Sequence, residues 1–98
     1  MKILWSSLAV DRTTEIAEYI TQDNPATAAK WVEVLFGKVQ LLKSSPRSGW
    51  IVPETQRDDI RELIYGNYRI IYRIEKNKIS ILTVRHSKQI LPVEEIQA

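Results

Sequence analysis

Three apolar runs of strand length, separated by two-residue turns, occupy the chain from residue 60 to residue 86. All three runs are rich in β-branched and aromatic side chains, which pack well on a pleated surface. Gly66-Asn67 follows the first run and Lys76-Asn77 follows the second, and turn-prone pairs of this kind join antiparallel strands. The pattern predicts an antiparallel meander whose strands span residues 60–65, 68–75 and 79–84.

The middle run has one apolar face and one half-charged face, because successive side chains of a strand point to opposite sides. The first face carries Tyr68, Ile70, Tyr72 and Ile74, and the second carries Arg69, Ile71 and Arg73. We expect the first face to be buried in the core. The register of the following hairpin stays open, because a slip of one residue reverses every side chain. Either Arg85 or His86 therefore shares the face of Arg69.

Positive charge is concentrated in the half of the chain that contains these runs. Residues 46–91 hold nine Lys or Arg against five Asp or Glu, although the formal net charge of the whole chain is only +2. Arginine favours bidentate contact with phosphate or carboxylate. We therefore expect an anion or an acidic partner to bind Arg61, Arg69, Arg73 and Arg85. The alternative is that these arginines only keep the strands soluble and protect an edge.

Length and composition limit what else the chain can be. Ninety-eight residues make one domain, residues 1–98, with a modest core. The absence of cysteine rules out disulfides and thiolate metal sites, and no apolar run is long enough to span a membrane. Three glycines and one histidine do not suffice for most nucleotide loops, metal clusters or catalytic triads. We expect a cytoplasmic protein without a cofactor, a metal or a membrane contact.

The first half of the chain predicts a strand and two helices. Residues 2–5 are apolar, and Ser6 or Ser7 can cap the helix that follows. In that helix Ala9, Ile16, Tyr19 and Ile20 share one face.

Asn24 and Pro25 suit the cap and the first position of a second helix, whose apolar spacing continues for about twenty residues until shortly before Pro46. The predicted architecture is α+β, with the helical hairpin packed on one side of an antiparallel sheet.

Trp50 lies in a turn-rich segment between the helices and the meander, residues 46–54. It begins a short predicted strand, residues 50–52. A large aromatic residue at this point more commonly closes the end of a small core, although an exposed tryptophan also serves in recognition. Residues 87–98 end acidic and predict either a helical turn or a frayed tail.

Several short motifs in this order resemble the RelE/ParE superfamily of toxins from bacterial type II toxin-antitoxin modules. The matching residues are Pro46, Gly49, Val52-Pro53-Glu54, Arg61-Glu62-Leu63, Tyr68-Arg69-Ile70, Tyr72, Val84 and His86. The resemblance implies a small toxin that forms a hetero-oligomer with a cognate antitoxin. Antitoxin contacts are expected on the apolar helical surface near Tyr19 or Trp31, and at Arg69 or Arg73.

The ParE branch of the superfamily fits best, because Val-Pro-Glu, Arg-Glu-Leu and Val-x-His occur together. That resemblance implies an inhibitor that binds a large target such as DNA gyrase and needs no catalytic residues. The residue after Gly49 is commonly Arg in this branch and is Trp50 here. This departure counts against a transfer of the gyrase target. Trp50 itself is a candidate binding residue beside the four arginines, on the alternative that it serves in recognition.

Two alternatives remain open. The first is a superfamily ribonuclease that cleaves mRNA, alone or on the ribosome, with Glu54 as base, Arg69 as phosphate clamp and His86 as general acid. The second is a degenerate member that binds only its antitoxin. Where RelE-like nucleases carry strand lysines, this chain has Ile60 and Glu62, and a carboxylate beside a scissile phosphate hinders cleavage.

Overall fold

The computed structural model describes residues 1–96, which form two helices and one five-stranded sheet. The elements are β1 (Lys2–Trp5), α1 (Ser7–Asp23), α2 (Pro25–Gln40), β2 (Trp50–Ile51), β3 (Ile60–Tyr65), β4 (Tyr68–Ile74) and β5 (Lys78–His86), with single 3-10 turns at Leu41–Lys43 and Val93–Glu95. The α+β class predicted from the sequence is confirmed. The last two residues of the predicted tail, 97 and 98, lie outside the described residues.

The sheet is mixed rather than wholly antiparallel. Its strand order is β1-β5-β4-β3-β2, so the predicted meander forms one continuous half of the sheet. β1 lies parallel to β5, with Lys2 opposite Lys78 and Trp5 opposite Ile81. A parallel pair requires a long connection, which both helices and most of the sheet provide here. The sequence pattern predicted β1 but not its neighbour.

A β-bulge settles the register that the sequence left open. Arg69 lies opposite Arg85 and Tyr68 lies opposite His86. Further along β4, Ile71 pairs with Thr83 but Tyr72 pairs with Ile81, so one β5 residue, Leu82, is left over between them. Arg85 therefore shares the face of Arg69, and His86 points to the other side of the sheet.

Both helices begin at the residues that the sequence indicated. The Ser6 hydroxyl accepts a hydrogen bond from the Ala9 N–H at 2.9 Å and donates one to the Leu82 carbonyl at 2.8 Å, which fixes α1 to β5. Asn24 Oδ1 accepts from the N–H groups of Ala26 and Thr27, and Pro25 occupies the first turn of α2. Each cap satisfies backbone donors that a helix end leaves unpaired.

The larger core lies between the helices and one face of the sheet. Its buried members are Ala9, Trp31, Leu35, Val39, Leu42, Ile70, Tyr72, Ile79, Ile81 and Val84. The expectation that the apolar face of β4 is buried is confirmed. Two details differ from prediction: α2 has sixteen residues and tightens into a 3-10 turn at its end, and Tyr19 is exposed. Tyr19 lies about 90° around α1 from the centre of the buried stripe, which is too far to reach the sheet.

A second, smaller core covers the opposite face of the sheet. It contains Val52, Ile60, Ile71, Leu82, Leu91 and Ile96. The loop after β2 and the C-terminal segment after β5 supply Val52, Leu91 and Ile96, and the segment contains a 3-10 turn, as one of the two sequence alternatives predicted. The half-charged face of β4 is thus covered by the chain itself.

Trp50 does not close either core. Trp50 is 75% exposed to solvent and lies on the short edge strand β2. The preferred interpretation of Trp50 as a core residue is wrong. Its pairing with Glu62 puts the side chain on the sheet face opposite the helices, and Tyr72 fills the end of the larger core beside Gly49. The Tyr72 hydroxyl donates to the Pro46 carbonyl at 2.7 Å and accepts from the Gly49 N–H at 3.0 Å.

Gly49 is required by this close approach. A Cβ atom at Gly49 would lie 2.6 Å from both the Tyr72 hydroxyl and the Glu62 carbonyl oxygen. We predict that Gly49→Ala lowers the free energy of unfolding by about 1–3 kcal/mol, because the chain must move to admit the methyl group. Gly37→Ala is the matched control, since a Cβ there meets nothing within 4 Å in α2. It should stabilise the protein by up to about 1 kcal/mol in urea titrations, and equal effects of the two changes would contradict the prediction.

Candidate functional site

Arg69 forms the centre of a buried ion cluster on the sheet face opposite the helices. Its Nε donates to Glu62 Oε2 at 2.9 Å, and its Nη1 and Nη2 donate to the two carboxylate oxygens of Glu54 at 2.8 and 2.9 Å. Nη2 also donates to Glu62, and Nη1 lies 3.5 Å from the Gln89 carbonyl. The five N–H groups of the guanidinium are therefore all engaged, and the side chain is only 7% exposed.

The fork of Arg69 holds Glu54 in its charged form. Its hydrogen bonds lower the pKa of Glu54 to about 2, and the backbone N–H of Leu91, which donates to Glu54 Oε2 at 3.2 Å, acts in the same direction. The Glu54 bonds likewise raise the pKa of Arg69. The cluster thus joins three parts of the chain: the loop after β2, the centre of the sheet and the C-terminal segment.

Glu95 fixes the C-terminal segment at a second point. It accepts a hydrogen bond from Thr83 Oγ1 at 2.8 Å and one from Arg12 Nη2 at 3.2 Å, and its Oε1 lies 3.6 Å from Arg85 Nε. The Glu95 side chain is almost fully buried. Arg85, a candidate binding residue, therefore lies beside an acid of the chain's own C-terminal segment.

The other two candidate arginines also contact the chain's own acids. Arg61 donates to Asp58 Oδ1 at 2.8 Å and to the Gly49 carbonyl at 3.0 Å, and Arg73 Nε lies 3.4 Å from Asp59 Oδ2. All four candidate arginines thus have acidic partners within the chain, and their binding of an anion or an acidic partner stays a prediction. Alternation could place Arg73 on the face of Arg69 and Arg61 on the other face, but it could not show which acids contact them.

The structure does not bring the three candidate nuclease residues together. Glu54 and Arg69 are in direct contact, but His86 lies on the opposite side of the sheet, where its ring meets the edge of Tyr68 at a centroid distance of 5.7 Å. His86 Nδ1 accepts a hydrogen bond from the Lys88 N–H at 3.2 Å. Within residues 1–96, Glu54, Arg69 and His86 therefore do not converge on one point.

An apolar groove lies on the other side of the molecule, between α1, α2 and the start of the sheet. It has a volume of about 280 Å³ and is lined by Trp5, Val10, Thr13, Thr14, Ala17, Glu18, Thr21, Val32 and Phe36. The rings of Trp5 and Phe36 lie 4.9 Å apart and form one wall. This groove was not predicted from the sequence, although Val10 and Phe36 are large apolar residues outside the buried stripes of their helices and could have indicated it.

Exposed apolar residues also mark the end of the sheet at β2. Trp50 and Ile51 are both exposed there, whereas Trp31, a predicted antitoxin contact, is buried against Tyr65 and Tyr68. Residues 1–96 contain no cluster of three potential metal ligands and no helix long and apolar enough to cross a bilayer.

The whole arrangement matches one family. The sequence profile described as ParE toxin of type II toxin-antitoxin system, parDE, matches residues 3–91. The chain belongs to the ParE toxin family. In this ParE toxin, the motif residues Glu54, Glu62 and Arg69 are the members of the buried cluster, so the motifs that carried the resemblance hold the fold together.

Two relatives illustrate the match. A Sinorhizobium fredii (strain NBRC 101917 / NGR234) protein named "Putative toxin Y4kP" is 36% identical over 93 residues, which is 93% of either chain. A chain from the solved structure of the chromosomal ParDE TA system from P. aeruginosa superposes with a TM-score of 0.74 at 21% identity, over 90% of this ParE toxin and 97% of that chain. At that identity the second likeness establishes the fold alone.

Proposed function

We propose that this ParE toxin inhibits growth by binding a protein target in the cytoplasm and is neutralised by a cognate antitoxin. DNA gyrase is the first target to test, because the motifs of this chain resemble those of the ParE branch, whose members inhibit gyrase. The toxin acts without covalent chemistry of its own.

One observation carries the choice of a binding protein over a ribonuclease. Every N–H group of Arg69 already has an acceptor within the chain, and the acceptors are the carboxylates of Glu54 and Glu62 and the Gln89 carbonyl. A phosphate could reach this guanidinium only after Glu54 or Glu62 moved away, and a remaining carboxylate would repel it. His86, the only imidazole of the chain, is on the other face of the sheet.

Induced expression of the toxin, with and without the antitoxin encoded beside it, tests the proposal directly. We expect growth to stop and to resume when the antitoxin is co-expressed. Purified toxin should block gyrase supercoiling while mRNA in a translating extract stays intact. Cleaved mRNA with normal supercoiling would overturn the proposal in favour of the ribonuclease.

The antitoxin is proposed to place apolar side chains in the helical groove. The groove is largely apolar, and an amphipathic segment that buries its apolar face there follows a common mode of peptide recognition. Glu18 at the groove and Asp11 on the same helix favour a partner with basic residues beside its apolar ones. The arginines of the opposite face are less suitable for acidic antitoxin groups, since they are already paired.

We predict that Val10→Asp weakens the antitoxin complex by at least about 2 kcal/mol, or roughly thirtyfold in Kd, because a charge would be buried at an apolar contact. Ile90→Asp is the matched control, since Ile90 is also an exposed aliphatic residue but lies outside the groove, in the C-terminal segment. Titration calorimetry with purified antitoxin measures both. A complex that tolerates Val10→Asp but not Ile90→Asp would place the antitoxin on the opposite face.

A further inference from the structure

The β2 end of the sheet carries a second, chemically different pocket. It has a volume of about 490 Å³ and is lined by Arg47, Ser48, Gly49, Trp50, Ile51 and Arg61. Trp50 and Ile51 give it an apolar part, and the indole is the most exposed of the three tryptophan side chains. Tryptophan and arginine are among the residues most enriched at the hot spots of protein interfaces. Here both residue types line one pocket.

The charge of this pocket is not balanced. Asp58 accepts hydrogen bonds from both Arg47 and Arg61, so two guanidinium groups share one carboxylate. Together they lower the pKa of Asp58, Arg47 having the larger effect. Arg61 donates three further hydrogen bonds to backbone carbonyls. Arg47 is different: within residues 1–96 only its Nη1 has a hydrogen-bond acceptor, and the side chain is 60% exposed. Arg47 can therefore bind one further carboxylate beside the indole.

The backbone at this edge is also available. β2 is the last strand of the sheet, and Val52 N–H donates to the Ile60 carbonyl at 3.1 Å. Pairs in an antiparallel ladder alternate between bonded and non-bonded types, so the next pair, Ile51 with Arg61, is of the non-bonded type. The N–H and C=O of Ile51 consequently point away from β3, where an added strand would find them.

We propose that this pocket binds an extended, acidic and apolar segment of the toxin's target protein. A carboxylate of that segment pairs with Arg47, a neighbouring apolar side chain covers the Trp50 indole, and the backbone bonds to Ile51. This assignment rests on the proposed function, because the bound segment belongs to the target protein that the proposed function requires. The local excess of a single positive charge is too small for a nucleic acid, which would need several phosphate contacts.

The target and the antitoxin have separate places in this arrangement. β1, beside the helical groove, and β2 are the two opposite edges of the sheet. Four strand spacings of about 4.8 Å put them about 19 Å apart. A partner seated in the groove therefore leaves the Trp50 pocket uncovered unless an extended part of it crosses the sheet.

Nuclear magnetic resonance of the purified toxin tests the binding chemistry. The three tryptophans give three indole N–H signals, and Trp50→Phe assigns one of them. A blocked hexapeptide of alternating leucine and glutamate should shift the Trp50 signal, and one of alternating leucine and lysine should not. Arg47→Gln should raise the Kd of the leucine–glutamate peptide about tenfold, because the substitution removes a charge-assisted hydrogen bond. Arg57→Gln is the matched control, since Arg57 is 52% exposed and pairs with Asp59 as Arg47 does with Asp58. Equal responses to both peptides, or equal effects of both substitutions, would overturn the proposal.

Growth assays then separate this inference from the proposed function. Trp50→Ala should fold as the parent does, keep the Kd of the antitoxin complex within about twofold and lose most growth inhibition. If the parent toxin does not inhibit growth, the proposed function fails, whatever the peptides show. If the parent inhibits growth and Trp50→Ala inhibits equally, or if Trp50→Ala weakens the antitoxin complex, the inference fails and the proposed function stands.

Discussion

Replacing Arg69 by alanine is expected to lower the free energy of unfolding by about 3–5 kcal/mol. The change leaves Glu62, which is nearly buried, and Glu54, which is partly buried, without their cation, and an uncompensated buried charge costs that much. Domains of this size have a total stability of about 5–15 kcal/mol. The substitution therefore removes a large part of the stability, and urea titration at neutral pH measures it.

Arg57→Ala is the control for this prediction. Arg57 also forms a bidentate pair, with Asp59 at 3.0 and 2.7 Å, but half of its side chain is exposed. Exposed pairs contribute about 0.2–1 kcal/mol. Comparable losses for the two variants would contradict the cluster's structural role. The expected difference also affects how activity assays are interpreted. A loss of growth inhibition in Arg69→Ala would be explained by unfolding and would not be evidence that Arg69 is catalytic.

Local features of this fold could be predicted from the sequence because each depends on neighbours in the chain. Ser6 and Asn24 cap helices through their own short side chains, and the alternation along residues 68–74 reflects the two faces of one strand. β3 and β1 have the predicted bounds for the same reason, since β-branched runs and flanking turn residues mark them.

The candidate site could be predicted only in part, because its contacts join distant positions. Arg69 was singled out by its motif, but its partner Glu54 lies fifteen residues earlier and Leu91, which also bonds Glu54, lies thirty-seven residues after that acid. The Glu95 contact with Arg12 spans eighty-three residues. Periodicity contains no information about such pairs, so the arginines could be assigned to a face but not to their partners.

The bulge in β5 is the second reason why the site could be predicted only in part. One extra residue between Thr83 and Ile81 changes which side chains lie opposite β4, and no local residue type marks its position. The choice between Arg85 and His86 as the neighbour of Arg69, on which the ribonuclease alternative depended, was therefore beyond the sequence. Trp50 shows a third limit, since aromatic residues are common both in cores and at interfaces, and only its exposure on the edge strand in the structure decided between them.

Acid is expected to release the Glu54 contribution to stability. The folded-state pKa of about 2 is below the ordinary value of 4.5, so the unfolded chain binds the proton more readily and stability rises with pH between these values. The stabilisation is complete above about pH 5 and is lost as the pH falls towards 2. Each pKa unit corresponds to about 1.4 kcal/mol, and with allowance for a side chain that is 26% exposed we expect a loss of about 2–3 kcal/mol from this group.

Comparison of the parent with Glu54→Gln isolates that contribution, because other carboxylates also titrate in this range. Urea titrations at intervals from pH 6 to pH 2 should show the parent losing about 2 kcal/mol more than the variant. Glu33→Gln is the matched control, since Glu33 is also paired with a cation but is well exposed, with its Oε1 3.9 Å from Lys30 Nζ. Its pH profile should follow that of the parent. Parallel profiles for the parent and Glu54→Gln would mean that the Arg69 fork does not hold Glu54 in its charged form, and the cluster would then not be the clamp that joins the β2 loop and the C-terminal segment to the sheet.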